Sequence, residues 1–170
     1  MQYTRLPLWL LAAGLLLLLA ACVSPPEYPE EPVLQFESLS KNTLAQYING
    51  PRDSLTITLS YTDGDGDLSD IDDDSLELTL IDTRLPEETI PFRLPSIPID
   101  GTGNGISGDI FIRIVNTDQF TCCIRNNRIC VADPSFPVDT FSYLIQLRDR
   151  AGNFSNVVRT EPIEILCTTQ

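Results

Sequence analysis

The residues of this chain that are best suited to chemistry lie in one acidic stretch, Tyr61–Asp74. It reads YTDGDGDLSDIDDD, so seven aspartates fall within twelve residues and no basic residue lies among them. So many carboxylates repel one another at neutral pH, and a hard cation relieves that repulsion. Ca²⁺ takes roughly six to eight oxygen ligands, and the two glycines let the backbone aim alternate side chains at one point.

The stretch therefore predicts one Ca²⁺ site, in a loop that joins two strands. The candidate ligands are Asp63, Asp65, Asp67, Asp70 and Asp74. Mg²⁺ is disfavoured because crowded, flexible cages made only of protein ligands suit its octahedral geometry poorly. The alternative is a solvated acidic turn that binds nothing tightly.

The spacing also resembles an EF-hand loop at its first, third, fifth and twelfth positions. It departs from that family at the sixth position, where the motif needs glycine and this chain has Leu68. At the twelfth position Asp74 stands where the family has a longer glutamate, and the flanks alternate as strands do. We therefore reject an EF-hand and retain a strand-connecting Ca²⁺ loop.

Catalysis and nucleic-acid binding have little support in the composition. The 170 residues include no histidine, which removes the usual Ser-His and Cys-His nucleophile systems. No glycine-rich loop opens a helix, so nucleotide binding is unsupported. A net charge of −13 opposes binding to nucleic acid, whose phosphates need basic contacts. We expect the protein not to be an enzyme.

The N-terminal residues predict an export signal. Arg5 and the amino terminus are positive, and Leu6–Ala21 is an uncharged, leucine-rich stretch, too short for the roughly twenty residues of a membrane helix. The stretch ends in Leu19-Ala20-Ala21-Cys22, which resembles the lipobox of bacterial lipoproteins. The resemblance implies removal of residues 1–21 and acylation of Cys22, with palmitate as one source of the chains. An ordinary secretory signal with an incidental cysteine is the alternative.

The rest of the chain divides into a tether and one domain. Residues 22–32 comprise the acylated cysteine and a segment rich in proline and glutamate, which favours an extended, semi-rigid spacer without packed structure. Residues 33–170 are enough for a single domain with its own core.

Alternation of apolar and polar residues predicts strands throughout that domain. Ser54–Tyr61 is the clearest case, with Leu55, Ile57 and Leu59 on one face. The other alternating segments are Ser75–Ile81, Asp109–Val115, Thr140–Arg148, Pro162–Leu166 and a first strand near Leu34 and Phe36. In Thr83–Gly108, prolines exclude a central strand and the glycines that follow favour a mobile loop. We predict an all-β fold, an antiparallel sandwich of about seven to nine strands.

The segment Tyr143–Asn156 is similar to the closing hairpin of bacterial immunoglobulin-like modules. That hairpin is an alternating strand followed by Asp-x-Ala-Gly-Asn and then serine. The matching residues here are Asp149, Ala151, Gly152, Asn153 and Ser155. The resemblance implies that the sandwich is immunoglobulin-like.

Four cysteines remain after Cys22, and an exported protein is expected to hold them as disulfides. They are Cys122, Cys123, Cys130 and Cys167. A turn at Asn126-Asn127 would place Cys123 opposite Cys130, leaving Cys122 for Cys167. The pairing in which Cys122 and Cys123 exchange partners is nearly as plausible.

These observations predict a binding or structural module, anchored by lipid in the cell envelope, with the outer membrane as the expected location. Its partner would be an envelope protein or a glycan. The alternatives are a passive spacer subunit of a larger envelope assembly and an accessory to a glycan-processing enzyme. Sugar binding is weakened because the only tryptophan, Trp9, lies in the signal.

Overall fold

The structure is a computed structural model of the chain, and most of the domain is described in it. The described residues are 27–46, 52–69, 77–95, 105–116, 121–126, 128–131 and 133–167. The predicted signal and Cys22 lie outside them. No helix occurs among the described residues, and so none of them forms a helix that could cross a membrane.

Twelve strands make up the described part. They are β1 (Val33–Leu39), β2 (Thr43–Ala45), β3 (Ser54–Asp63), β4 (Leu78–Asp82), β5 (Thr89–Phe92), β6 (Ile106–Val115), β7 (Ile124–Arg125), β8 (Arg128–Ile129), β9 (Val138–Phe141), β10 (Tyr143–Leu147), β11 (Val158–Arg159) and β12 (Ile163–Leu166). Eight of these have four or more residues, in line with the predicted seven to nine. The four shorter strands are too brief to show a periodic pattern.

The strands form three larger sheets and one small hairpin. Their orders are β1-β3-β6, β11-β10-β4-β5, β2-β12-β9 and β7-β8. All pairs are antiparallel except β2 with β12. The buried faces of the three larger sheets contribute to one hydrophobic core, so the domain is the all-β sandwich that the alternation predicts.

Strand β3 is the centre of its sheet and carries the strictest alternation. It pairs with β6 over all ten of its residues, and every second side chain from Leu55 to Asp63 is buried. Leu55, Ile57 and Leu59 are at most 1% exposed. The same period that buries these apolar side chains carries the last member of the series, Asp63, into the interior.

The predicted strand Thr140–Arg148 is two strands in the structure. β9 pairs with β12 and β10 pairs with β4, so the chain changes sheet at Ser142. There the Ser142 N–H donates to Thr83 Oγ1 at 3.0 Å, and the Thr83 N–H donates to the Ser142 carbonyl oxygen at 3.0 Å. Alternation continues across the break, which is why the sequence pattern does not reveal it.

The segment predicted to be irregular also contains regular structure. Pro91 lies in β5, which pairs only with β4 among the described strands. Proline is tolerated there because an edge strand does not need every N–H group. Strand β6 begins at Ile106 rather than Asp109, so Gly108 belongs to a strand.

The disulfides follow the second of the two predicted pairings. Cys122 is bonded to Cys130, with Cα atoms 4.9 Å apart, and Cys123 is bonded to Cys167, with Cα atoms 5.8 Å apart. Cys130 has a left-handed backbone with φ of 60°. The β7-β8 ladder ends at the pair Ile124–Ile129, so Cys123 and Cys130 do not pair across it.

Candidate metal centre

Four carboxylates meet where β3 ends. One carboxylate oxygen from each of Asp63, Asp65, Asp67 and Asp149 lies within 4.8 Å of the others. Three of these residues belong to the acidic stretch, and the fourth is in the turn after β10. Because carboxylate oxygens are hard ligands, a cluster of this size could hold a metal ion.

Asp63 is the most deeply placed member. Its side chain is fully buried, and neither carboxylate oxygen has a hydrogen-bond partner. Only five buried side-chain atoms in the described part lack a partner, and three of them are Asp63 Oδ1, Asp63 Oδ2 and Asp67 Oδ1. Buried polar atoms are otherwise almost always satisfied. The unsatisfied oxygens therefore concentrate where a cation would supply the missing partner.

The electrostatics of the cluster agree with this geometry. Burial, together with the nearby charges of Asp65, Asp67 and Asp149, raises the pKa of Asp63 to about 7. The backbone N–H of Asp67 opposes the shift without forming a hydrogen bond to either oxygen. Burial likewise raises the pKa of Asp67, with Asp149 and Asp65 adding to the effect. A bound divalent cation would reverse each of these penalties.

The turn after β10 supports Asp67 through its backbone. The Ala151 N–H donates to Asp67 Oδ2 at 3.0 Å, and the Arg150 N–H donates to the Asp67 carbonyl oxygen at 3.2 Å. One carboxylate oxygen of Asp67 is thus held in place while the other, Oδ1, stays without a partner. This is the arrangement expected of a ligand whose orientation is fixed by its neighbours.

Asn153 supports Asp149 in the same way. Its backbone N–H donates to Asp149 Oδ1 at 2.7 Å, and its side-chain amide donates to Oδ2 at 2.8 Å. Gly152 has φ of 96°, a left-handed conformation that lets the turn close. The Asp-x-Ala-Gly-Asn motif, identified from the sequence as a turn, therefore also presents a carboxylate to the cluster.

The described end of the tether, residues 27–32, packs at the same place, contrary to the expectation of an unpacked spacer. The Gly64 N–H donates to the Pro29 carbonyl oxygen at 2.7 Å, and Pro32 is buried. A Cβ atom on Gly64 would lie 2.4 Å from the Tyr28 carbonyl oxygen, and one on Gly105 would lie 2.6 Å from the Tyr28 ring. Two glycines thus leave the room in which Tyr28 and Pro29 lie, because a larger residue at either position would collide with them.

The structure brings together three of the five predicted ligands. Asp63, Asp65 and Asp67 are in the cluster, whereas Asp70 and Asp74 lie outside the described residues. Asp149 is the member that the metal prediction missed. The sequence offers one signal for it, the Asp-x-Ala-Gly-Asn turn, but nothing in the pattern shows that this turn lies beside Asp67.

Comparisons with known proteins identify no relative of this chain. The chain matches no protein-family model, no curated protein sequence and no solved structure. The functional argument therefore depends on the residues themselves.

Proposed function

We propose that this protein is a lipid-anchored module of the cell envelope that binds Ca²⁺ at the cluster formed by Asp63, Asp65, Asp67 and Asp149. The observation that carries the proposal is the complete burial of Asp63 with two unpartnered oxygens. An ionised carboxylate in that position is costly unless a cation compensates it. The module binds or supports other envelope components and is not a catalyst.

Ca²⁺ fits the cluster better than Mg²⁺ does. The four carboxylates come from two segments and differ in burial, since Asp63 and Asp149 are buried and Asp65 is exposed. An irregular set of oxygens suits the variable coordination of Ca²⁺, whose remaining positions backbone carbonyls and water would fill. Mg²⁺ keeps several of its own waters and demands a regular octahedron, which this set does not favour.

The anchor is supported by the sequence alone. The Leu19-Ala20-Ala21-Cys22 segment closes an uncharged leucine-rich stretch, as the lipobox of bacterial lipoproteins does. Several acyl chains at Cys22 would hold the chain stably at a membrane without a spanning helix. The outer membrane is the location that we propose.

A binding role is favoured over a passive spacer by the exposed phenylalanines. Phe136 and Phe154 lie outside the regular strands and are 49% and 58% exposed. An arginine lies over each ring, Arg125 at 4.0 Å from the centroid of Phe136 and Arg148 at 5.5 Å from that of Phe154. Aromatic and arginine side chains are the ones enriched at protein interfaces. We therefore propose an envelope protein as the partner, with a glycan as the second choice.

Calorimetric titration of the purified full chain with Ca²⁺ tests the metal site. We expect saturable heat, and a rise in melting temperature because the ion binds only the folded state. Mg²⁺ at equal concentration should produce less of both. Asp63→Asn should weaken binding about tenfold or more, whereas Glu161→Gln removes an exposed carboxylate outside the cluster and should leave it unchanged. Absence of heat at millimolar Ca²⁺ would refute the site.

Metabolic labelling with radioactive palmitate tests the anchor separately. The wild-type chain should incorporate label, and Cys22→Ser should remain unlabelled and unprocessed. Equal labelling of the variant would contradict the proposed acylation while leaving the metal site untouched.

A further inference from the structure

Strand β6 presents a long edge that no other described strand covers. It pairs with β3 along all ten residues, and no second partner for it occurs in the described part of the chain. The outer edge of such a strand displays backbone N–H and C=O groups that can pair with another strand.

A groove runs beside this edge and contacts residues from both faces of the strand. A cavity of about 440 Å³ is lined by Asp109–Arg113 of β6, by Phe92–Pro95, and by Tyr61 and Leu78. Consecutive residues of a strand alternate between its two faces. A cavity that contacts five consecutive residues therefore reaches the edge of the strand. A second cavity, of about 110 Å³, continues along Arg113–Val115.

The side chains on the outer face of β6 are complementary to themselves. Asp109, Phe111 and Arg113 point to this face, and Phe111 is 68% exposed. Among the described residues neither Asp109 nor Arg113 forms an ion pair, and Arg113 donates only to Ser54 Oγ at 3.3 Å. The strand therefore presents one acidic and one basic side chain, Asp109 and Arg113, each two residues away from the exposed ring of Phe111.

We propose that the occupant of this edge is a second copy of the same chain, paired through β6 in antiparallel register. Pairing centred on Phe111 places the two Phe111 rings opposite each other and Asp109 of each copy opposite Arg113 of the other. The resulting two-fold contact is of the kind that most homodimers use. It joins two three-stranded sheets into one of six, in the order β1-β3-β6-β6-β3-β1. Opposite charges and aromatic rings directly across a ladder stabilise it.

Charge exchange tests both the surface and the register. In the full chain, solubilised in a mild detergent, sedimentation should show a dimer. Asp109→Arg alone, or Arg113→Asp alone, places like charges opposite each other twice and should weaken the dimer by about tenfold or more. The two single variants mixed together should form a heterodimer, because every facing pair is then opposite in charge. The double variant should dimerise as the wild type does.

Cross-linking at the two-fold axis gives a second readout. Phe111→Cys places two thiols directly opposite, within the Cα separation that a disulfide allows, and should yield a covalent dimer on mild oxidation. Ser107→Cys, on the same face but four residues away from the axis, should not. A wild-type chain that stays monomeric up to about millimolar concentration would overturn the proposal. A dimer that is indifferent to the charge exchanges would overturn it equally.

Discussion

The backbone N–H of Ala151 donates to the carboxylate of Asp67 at 3.0 Å across 84 residues of sequence. This hydrogen bond joins the loop after β3 to the turn after β10. Because Asn153 holds Asp149 in the same turn, the two halves of the acidic cluster are supported by one turn. The geometry of the proposed metal site thus depends on residues that do not touch the ion.

Asn153→Ala should weaken Ca²⁺ binding although all four carboxylates remain. It removes the side-chain hydrogen bond to Asp149 Oδ2, and loss of such a support typically costs about 10–100-fold in metal affinity. Asn156→Ala is the matched control. Asn156 bonds both the N–H and the carbonyl oxygen of Leu34, so its loss should lower stability by about 1–3 kcal/mol and leave affinity unchanged. Calorimetry and urea unfolding separate the two effects.

Gly64→Ala should release the tether. The added Cβ would lie 2.4–2.7 Å from the backbone of Tyr28 and Pro29, and backbone cannot yield as a side chain can. We expect faster hydrogen exchange and easier proteolysis in residues 27–32. Gly108→Ala makes the same chemical change, but its Cβ would meet only the end of the Tyr61 side chain. If both variants left the tether equally protected, the contact at Gly64 would not be what holds it.

The metal-free protein should become less stable as the pH rises from about 4 to about 7. The pKa of Asp63 is about 7 in the folded chain against an ordinary 3.8, so the unfolded chain loses this proton first. The loss of folding stability caused by ionising buried Asp63 is absent below about pH 4 and complete above about pH 7. Urea unfolding in the presence of a chelator should show that the free energy of unfolding falls less with rising pH for Asp63→Asn than for the wild type. A larger decline in the variant would contradict the assignment.

The two disulfides should differ in their contribution to stability. Cys122–Cys130 closes a sequence separation of 8 residues and Cys123–Cys167 one of 44. Loop-closure entropy assigns them about 2.5 and about 4 kcal/mol. The variant with both Cys123 and Cys167 replaced by alanine should therefore unfold at a lower urea concentration than the variant with both Cys122 and Cys130 replaced. The reverse order would show that packing around Cys122 outweighs loop length.

Much of the fold was predictable because burial in β3 and β6 follows a strict period of two. The same period predicted the one apolar face of Thr140–Arg148 but concealed the change of sheet, since Ser142 breaks the pairing and not the alternation. Sequence reasoning about the cysteines left two pairings open. The ladder of β7 and β8 ends before the cysteines, and Cys130 has a left-handed backbone, and no local pattern revealed either feature.

The acidic cluster was predictable only in part. Alternating Asp and Gly residues place Asp63, Asp65 and Asp67 in one tight loop, a local property that spacing shows directly. The position of Asp149 beside them is a tertiary property, fixed by the pairing of β10 with β4 and by the contacts of Ala151. The contacts of Tyr28 and Pro29 could not be predicted for the same reason, because proline content describes the isolated segment and not the glycines of the domain against which it packs.

The attachment of the tether beside the end of β3 also affects how the domain responds to force. Pro29 is bonded to Gly64, and four residues later Val33 pairs with Thr62 at the start of β1. A force applied to the chain from its N-terminal side is therefore transmitted to the end of β3 before it reaches any other part of the sandwich. That end carries Asp63, so tension on the chain and ion binding act on the same few residues. The cluster is placed where a bound cation would resist the first step of unravelling under force.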